Sequence, residues 1–342
     1  MGVRSLGNTL STFKNKFGRT GLEAVTPEPP PIINSPITAT GGDSTLTITG
    51  YKVHIYTSTG PATLNVSSGG GEVEYLVVAG GGSGSAQYGG GGGAGGFRTN
   101  LSGHPRAGDP VNVQPGNTTV VVGAGGQYAT PPAMPGVNGA NSSIDPNSPL
   151  TNTITSTGGG GGGAPGQEPN PWGSGTNGGP GGSGGGGAGR TGPNAPNYDG
   201  GTGNAGGFPA PTREGFDGGT GAFPGNRSGA GGGGAGGAGS DGGGNAGPGG
   251  VGIQCLIAGN PSPIGTPGPS GDGWFAGGGG GGGYNVTAGS GGAGGGGAGR
   301  SSPTEGVAGT TNTGGGGGGG FHPGATEGGD GGSGIVVIRY PT

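Results

Sequence analysis

Gly181-Gly182-Ser183-Gly184-Gly185 has the G-x-S-x-G spacing of a nucleophile elbow. That motif needs an apolar helix directly after the serine, and here more glycine follows. Glycine supplies 109 of the 342 residues, so such a match, like the many to G-x-G-x-x-G, carries no catalytic meaning. No lysine follows Lys52, which excludes a Walker-type phosphate loop. His54, His104 and His322 lack ligand spacing, and His54 reads as a polar-face strand residue. Glu72 and Glu74 face one side of a strand, and Glu214 and Asp217 share a loop. A carboxylate pair of this kind can hydrolyse glycosides, but a structural or solvated role is the favoured reading. Cys255, the single cysteine, sits in the apolar run Ile253–Ile257 and reads as a buried thiol that cannot form an intrachain disulfide. We expect no enzymatic activity, no cofactor and no metal.

Rings and guanidinium groups carry more information. Trp172, Tyr198, Phe208, Phe216 and Phe223 fall in the Pro/Asn/Gly-rich stretch 165–228, interleaved with Arg190, Arg213 and Arg227. Exposed aromatics and arginines serve as binding anchors, with rings that stack on sugars and guanidinium groups that pair with acids. The same rings can instead plug gaps between side-chain-free glycine tracts, and both readings stay open at this stage. The receptor-binding candidates are Arg190, Tyr198, Phe208, Arg213, Phe216, Phe223 and Arg227. For Trp274-Phe275, which abuts the glycine run 277–283, packing is favoured.

Apolar residues are 26% of the chain and charged residues 8%, too few of either for an ordinary globular core over the whole length. Order must then rest largely on backbone hydrogen bonds. Net charge is −4, so a basic nucleic-acid footprint is missing. No apolar run is long enough to span a bilayer, and the first residues lack the apolar core of a secretory signal. Residues 1–25 carry Leu6, Leu10, Phe13 and Phe17 at helical spacing, with Arg4, Lys14, Lys16 and Arg19 around them. They read as a docking or assembly segment, followed by a proline-rich spacer over 26–36.

Residues 37–78 alternate as short strands: 46–49, 51–56 and 62–66, with turn signals at Gly50, at 59–61 and at Gly69–Gly71. Leu76–Ala79 and Ile335–Tyr340 are apolar on both faces and are expected to pair within one sheet or facing sheets. Between them lie weaker strands and glycine runs at 158–163, 277–283 and 314–320. A seven-residue run at roughly 3.1 Å per residue spans about 22 Å, a thickness that several parallel tracts can share. The expected fold is mostly β and irregular. A small β-sandwich or sheet over 37–78 precedes a glycine-rich slab of polyglycine-II-like helices over 79–342, closed by strand 335–340.

The segments "EYLVVAGGGSGS", "GGFRT", "TVVVGAGG", "GWFAGGGGGGGY" and "GGSGIVVIRYPT" resemble the glycine-rich domain of phage virion proteins, including cyanophage fibres. The resemblance covers roughly residues 73–342 and implies the threefold polyglycine slab of phage receptor-binding adhesins, with receptor contacts on loops. It implies a fibre or adhesin subunit located in the virion and joined to other virion proteins through the N-terminal segment. The expected partners are sister subunits in a homotrimer and a host surface glycan or outer-membrane protein, with no nucleic acid and no membrane insertion. The alternatives are a structural fibre, collar or decoration protein without a receptor, or a non-viral extracellular glycine-rich fibre.

Overall fold

The computed structural model describes residues 35–128, 135–150, 152–165, 175–189, 198–204, 213–222, 227–321 and 327–342. Leu6, Leu10, Phe13, Phe17, Arg190, Phe208 and Phe223 lie outside them. The strands are β1 (Ser35–Thr40), β2 (Ser44–Ile48), β3 (Tyr51–Tyr56), β4 (Gly60–Val78), β5 (Phe97–Thr99), β6 (Val111–Val113), β7 (Gly116–Val122) and β8 (Ser142–Asp145). They continue with β9 (Ile154–Ser156), β10 (Arg227–Ser228), β11 (Ile253–Gln254), β12 (Thr266–Gly268), β13 (Gly271–Phe275), β14 (Gly283–Tyr284) and β15 (Ile335–Pro341). A ten-stranded antiparallel sheet follows the path β2-β3-β15-β4-β7-β8-β9, and β1, β5 and β6 also pair with β4. Two small sheets, β10-β14 and β11-β13-β12, form within the glycine-rich region.

The apolar runs explain the centre of the large sheet. The closing strand β15 lies between β3 and β4, with Ile335 opposite Val78 and Ile338 opposite both His54 and Tyr75. The expected pairing of the first and last apolar strands is therefore met. Both faces of this centre are buried. Tyr75, Val77, Val336 and Ile338 pack with Leu64, Val120 and Ile144, where the sheet curls over itself. Val53, Leu76, Val78, Ile335 and Val337 pack on the other side with Phe97, Cys255, Ile257 and Phe275. Each such side chain contributes roughly 1.5–3 kcal/mol when fully buried. The burial of Phe275 and Cys255 agrees with the packing roles read for them.

Two local expectations are corrected. His54 does not face solvent. It is fully buried, with Nδ1 2.7 Å from the Gly41 carbonyl oxygen and Nε2 3.0 Å from Tyr340 Oη. A neutral ring satisfies both contacts, and burial lowers its pKa below the ordinary histidine value. Gly69–Gly71 is not a turn but a bend inside β4, a strand of 19 residues. Gly69 has φ +77°, and any side chain there would run into the Pro36 carbonyl of β1.

The fold class is corrected as well. The described residues contain no helix; the architecture is all-β around a curled antiparallel sheet, and the expected slab of polyglycine-II-like helices is not found. The physical reason lies in where the tract hydrogen bonds go. The Gly277 N–H donates to the Gly294 carbonyl, Gly278 to Gly250 and Gly279 to Gly92, at 2.9–3.0 Å. Gly280, Gly281 and Gly282 then donate to Gly297, Gly247 and Gly89, each at 2.9 Å. Every third residue returns to the same neighbouring tract. No bond closes within a tract, as an α-helix requires, and no pair of tracts keeps the repeated pairing of a ladder, so the tracts are irregular backbone bonded in turn to several neighbours.

The tracts run from the sheet outward and back. Residues 79–85 leave β4, and residues 89–96 return to β5, with the Gly82 N–H bonded to the Gly93 carbonyl at 2.9 Å between them. Contact of this kind needs bare backbone on both sides. A Cβ on Gly279 would collide with the carbonyl of Gly317, whereas a Cβ on exposed Gly243 would meet nothing within 4 Å. Gly279→Ala is accordingly expected to lower stability by about 1–3 kcal/mol, the range of core overpacking. Gly243→Ala is expected to stay within about 1 kcal/mol of the parent protein. Denaturant unfolding of the two variants checks the difference, and equal midpoints would contradict it.

Candidate functional site

Interior glycine offers no functional groups, so chemistry is confined to the ends of the tracts. Two side-chain clusters stand there, one against the large sheet and one at the opposite tract ends.

The first is organised by Glu214. Its carboxylate is buried and accepts hydrogen bonds from Arg98 Nε of β5 at 2.6 Å, Asn204 Nδ2 at 2.8 Å and the Thr157 N–H at 3.2 Å. Burial lowers the Arg98 pKa, and the Glu214 charge opposes that shift. Next to this pair, the Phe216 ring carries two guanidinium groups, with Arg213 Cζ 4.2 Å and Arg106 Cζ 5.5 Å from its centroid. Arg106 Nη1 donates to the Arg213 carbonyl at 2.8 Å, and Arg213 Nε donates to the Gly215 carbonyl at 3.0 Å. The chain at 104–106 is fixed by His104, whose Nδ1 accepts the Arg106 N–H at 3.1 Å and whose Nε2 lies 2.9 Å from the Gln254 carbonyl oxygen. A small cleft opens beside the cluster, lined by Tyr75, Phe97, Arg98, Arg106, Asp109 and Glu214 among others.

The second cluster gathers Tyr88, Arg227, Tyr284 and Phe321. Arg227 Nη1 donates to Tyr88 Oη at 2.9 Å, with Cζ 5.5 Å from the ring centroid. Tyr88 meets Tyr284 edge-on at 6.3 Å, and Tyr284 lies 6.0 Å from Phe321. Arg227 also pairs with Tyr284 through the backbone of β10 and β14. Tyr88 is buried, and that burial raises its pKa against the opposing Arg227 charge.

The recognition stretch read from sequence is thus divided. Arg213 and Phe216 join the sheet-side cluster, and Arg227 joins the other. Phe216 and Ala222, the last described residue of that tract, are six residues apart, at most about 20 Å of extended chain. Tyr198 is buried, with its carbonyl accepting the Gly221 N–H at 3.0 Å. Arg106, Tyr88, Tyr284 and Phe321 were not singled out. Arg106 lies in the turn-like stretch 100–110, where no local pattern marks it. The carboxylates hold structure: Glu214 as above, and Glu74 by accepting from Arg339 Nε at 2.7 Å. Asp217 is exposed and accepts the Gly203 N–H at 2.7 Å. Among the described residues, no group of three or more His, Cys, Asp or Glu side chains could hold a metal ion, and no helix is long and apolar enough to cross a membrane.

An all-β framework whose glycine backbone bonds in rotation to several neighbouring tracts defines a glycine-rich domain. The chain belongs to the glycine-rich domain family, whose family model matches residues 57–341. The match begins after β3, although β1, β2 and β3 share the large sheet with β4 and β15. No curated protein matches the chain.

Removing one partner of a buried ion pair leaves the other charge uncompensated, which costs about 3–5 kcal/mol. Glu214→Gln is therefore expected to lower unfolding stability by about 3 kcal/mol, near the lower bound because the amide keeps some hydrogen bonds. Adding Arg98→Gln to that background should recover part of the loss. Equal denaturation midpoints for the parent and Glu214→Gln would show that the pair does not hold this corner.

Proposed function

We propose that this protein is a structural phage virion protein, a fibre or adhesin subunit that recognises the host cell surface without enzymatic chemistry. The observation that carries the reading is the division of labour along the chain. The glycine tracts spend their N–H and C=O groups on one another, so any specific contact falls to the tract ends, where arginines and rings collect. Such a scaffold tolerates change at its ends without loss of the lattice, which suits a surface that must follow a changing receptor. Membership of the glycine-rich domain family supports the structural role. The phage assignment rests on the resemblance of segments 73–99 and 331–342 to virion proteins.

On this reading Leu6, Leu10, Phe13 and Phe17 dock the chain to other virion proteins, and sister subunits form a homotrimer. The receptor is a host surface glycan or outer-membrane protein. Contacts come from the tract ends around Arg213, Phe216 and Arg227, with Arg190, Tyr198, Phe208 and Phe223 as the further candidates on the same stretch. A second reading, a virion component with no receptor of its own, is favoured by the burial of Tyr198 and by the packing of Arg227 onto Tyr88.

The test is made on purified particles. Deleting residues 1–25 should remove the protein from particles and lower host-cell adsorption at least tenfold. Full adsorption by particles that lack the protein would leave the receptor-free structural reading. Unchanged incorporation of the truncated chain would move the docking segment elsewhere.

A further inference from the structure

The sheet-side cluster has a charge imbalance that its structural role leaves unexplained. Arg98 is matched by Glu214 at 2.6 Å. Arg106 makes no ion pair among the described residues, and its side chain is only partly exposed. Arg213 makes a single long contact, 3.8 Å to the exposed carboxylate of Asp217, and that carboxylate is already engaged by the Gly203 N–H. A contact of that length at an exposed site is weak. Two like charges thus share one ring, one of them with no acid to offset it.

Each guanidinium has five N–H donors. Arg106 uses Nη1 on the Arg213 carbonyl, and Arg213 uses Nε on Gly215. Their remaining donors have no hydrogen-bond acceptor among the described residues. Both groups are held in place, by the Phe216 ring and by the His104 contact to the Arg106 N–H. Pre-held forks with unused donors are suited to planar oxyanions, which they bind bidentately. Both guanidinium groups already lie over Phe216, so the ring serves to position them rather than to stack on a sugar.

We propose that Arg106 and Arg213, held on Phe216, form an anion clamp for a carboxylate group of an acidic cell-surface polysaccharide. This deepens the host-recognition reading above and rests on it, naming the ligand chemistry and adding Arg106 to the site. A uronic-acid polymer supplies repeated carboxylates, so a clamp of modest affinity gains from several copies engaging at once.

The full chain is titrated with polygalacturonate, with dextran sulfate and with uncharged dextran at near-physiological salt. The clamp predicts saturable binding of polygalacturonate, no binding of dextran, and at least a tenfold weakening in Arg106→Gln/Arg213→Gln. Arg106→Lys keeps the charge but loses the fork, and should weaken binding almost as much. Thermal midpoints of all variants are measured alongside, and Asp217→Asn, which removes the exposed negative charge while its amide oxygen can still accept the Gly203 N–H, should bind as well as or better than the parent. Polygalacturonate binding that survives the double substitution, binding of dextran sulfate alone, or absence of binding by a folded parent protein would each overturn the clamp. Particle adsorption separates the two readings. If removing the protein abolishes adsorption while Arg106→Gln/Arg213→Gln particles adsorb normally, the clamp fails and the fibre reading stands. If particles lacking the protein adsorb fully, the fibre reading itself fails.

Discussion

The absence of a Cβ on glycine is the constraint from which this structure follows. With no side chain in the way, one tract can place its carbonyl oxygens where a neighbour's Cβ would otherwise stand, as Gly317 does at Gly279. Close approach lets each tract bond to several others in rotation, so backbone polar groups are satisfied although the described glycine tracts form neither ladder nor helix. Glycine loses more conformational freedom on ordering than any other residue, and single tracts would not hold. Many mutual bonds at 2.7–3.1 Å, closed on a side-chain core, offset that loss.

The side-chain core supplies what the tracts lack. β3, β15 and the 75–78 end of β4 are covered on both faces, and tracts leave directly from the ends of β4, β7 and β9 and return to β5, β8 and β15. The sheet thus sets the starting register of each tract, while the buried Arg98–Glu214 pair ties β5 to a segment 116 residues further along. This arrangement explains why the reactive side chains gather at the ends of tracts and why the two clusters differ. Near the sheet, charged groups are partly buried and fixed by strands. At the opposite ends, rings pack on one another.

Parts of this were legible in the sequence for clear reasons. Apolar character on both faces identified Leu76–Ala79 and Ile335–Tyr340 as central strands, and alternation identified β2 and β3. Other parts were not. β4 reads as two strands because Gly69–Gly71 has turn composition, yet there the chain stays in the strand and passes close to β1 at Pro36. His54 alternates as a polar-face residue because a sequence window cannot show that the sheet curls over that face. The tracts were read as helices because their composition does not reveal where their hydrogen bonds end. Among the candidate site residues, the chain topology separates Arg213 and Phe216 from Arg227, which composition had grouped. Arg106 became visible only when 104–106 was seen to lie against Arg213, 107 residues away.

The central claim is that the glycine tracts are ordered by hydrogen bonds to one another. Amide hydrogen exchange measured peptide by peptide across 158–163, 277–283 and 314–320 tests it most directly. The account predicts protection comparable to that of β4 and β15, because each of these tracts bonds to several neighbours and through them to the sheet. Exchange at the rate of an unstructured chain in those tracts, with β4 and β15 still protected, would contradict it.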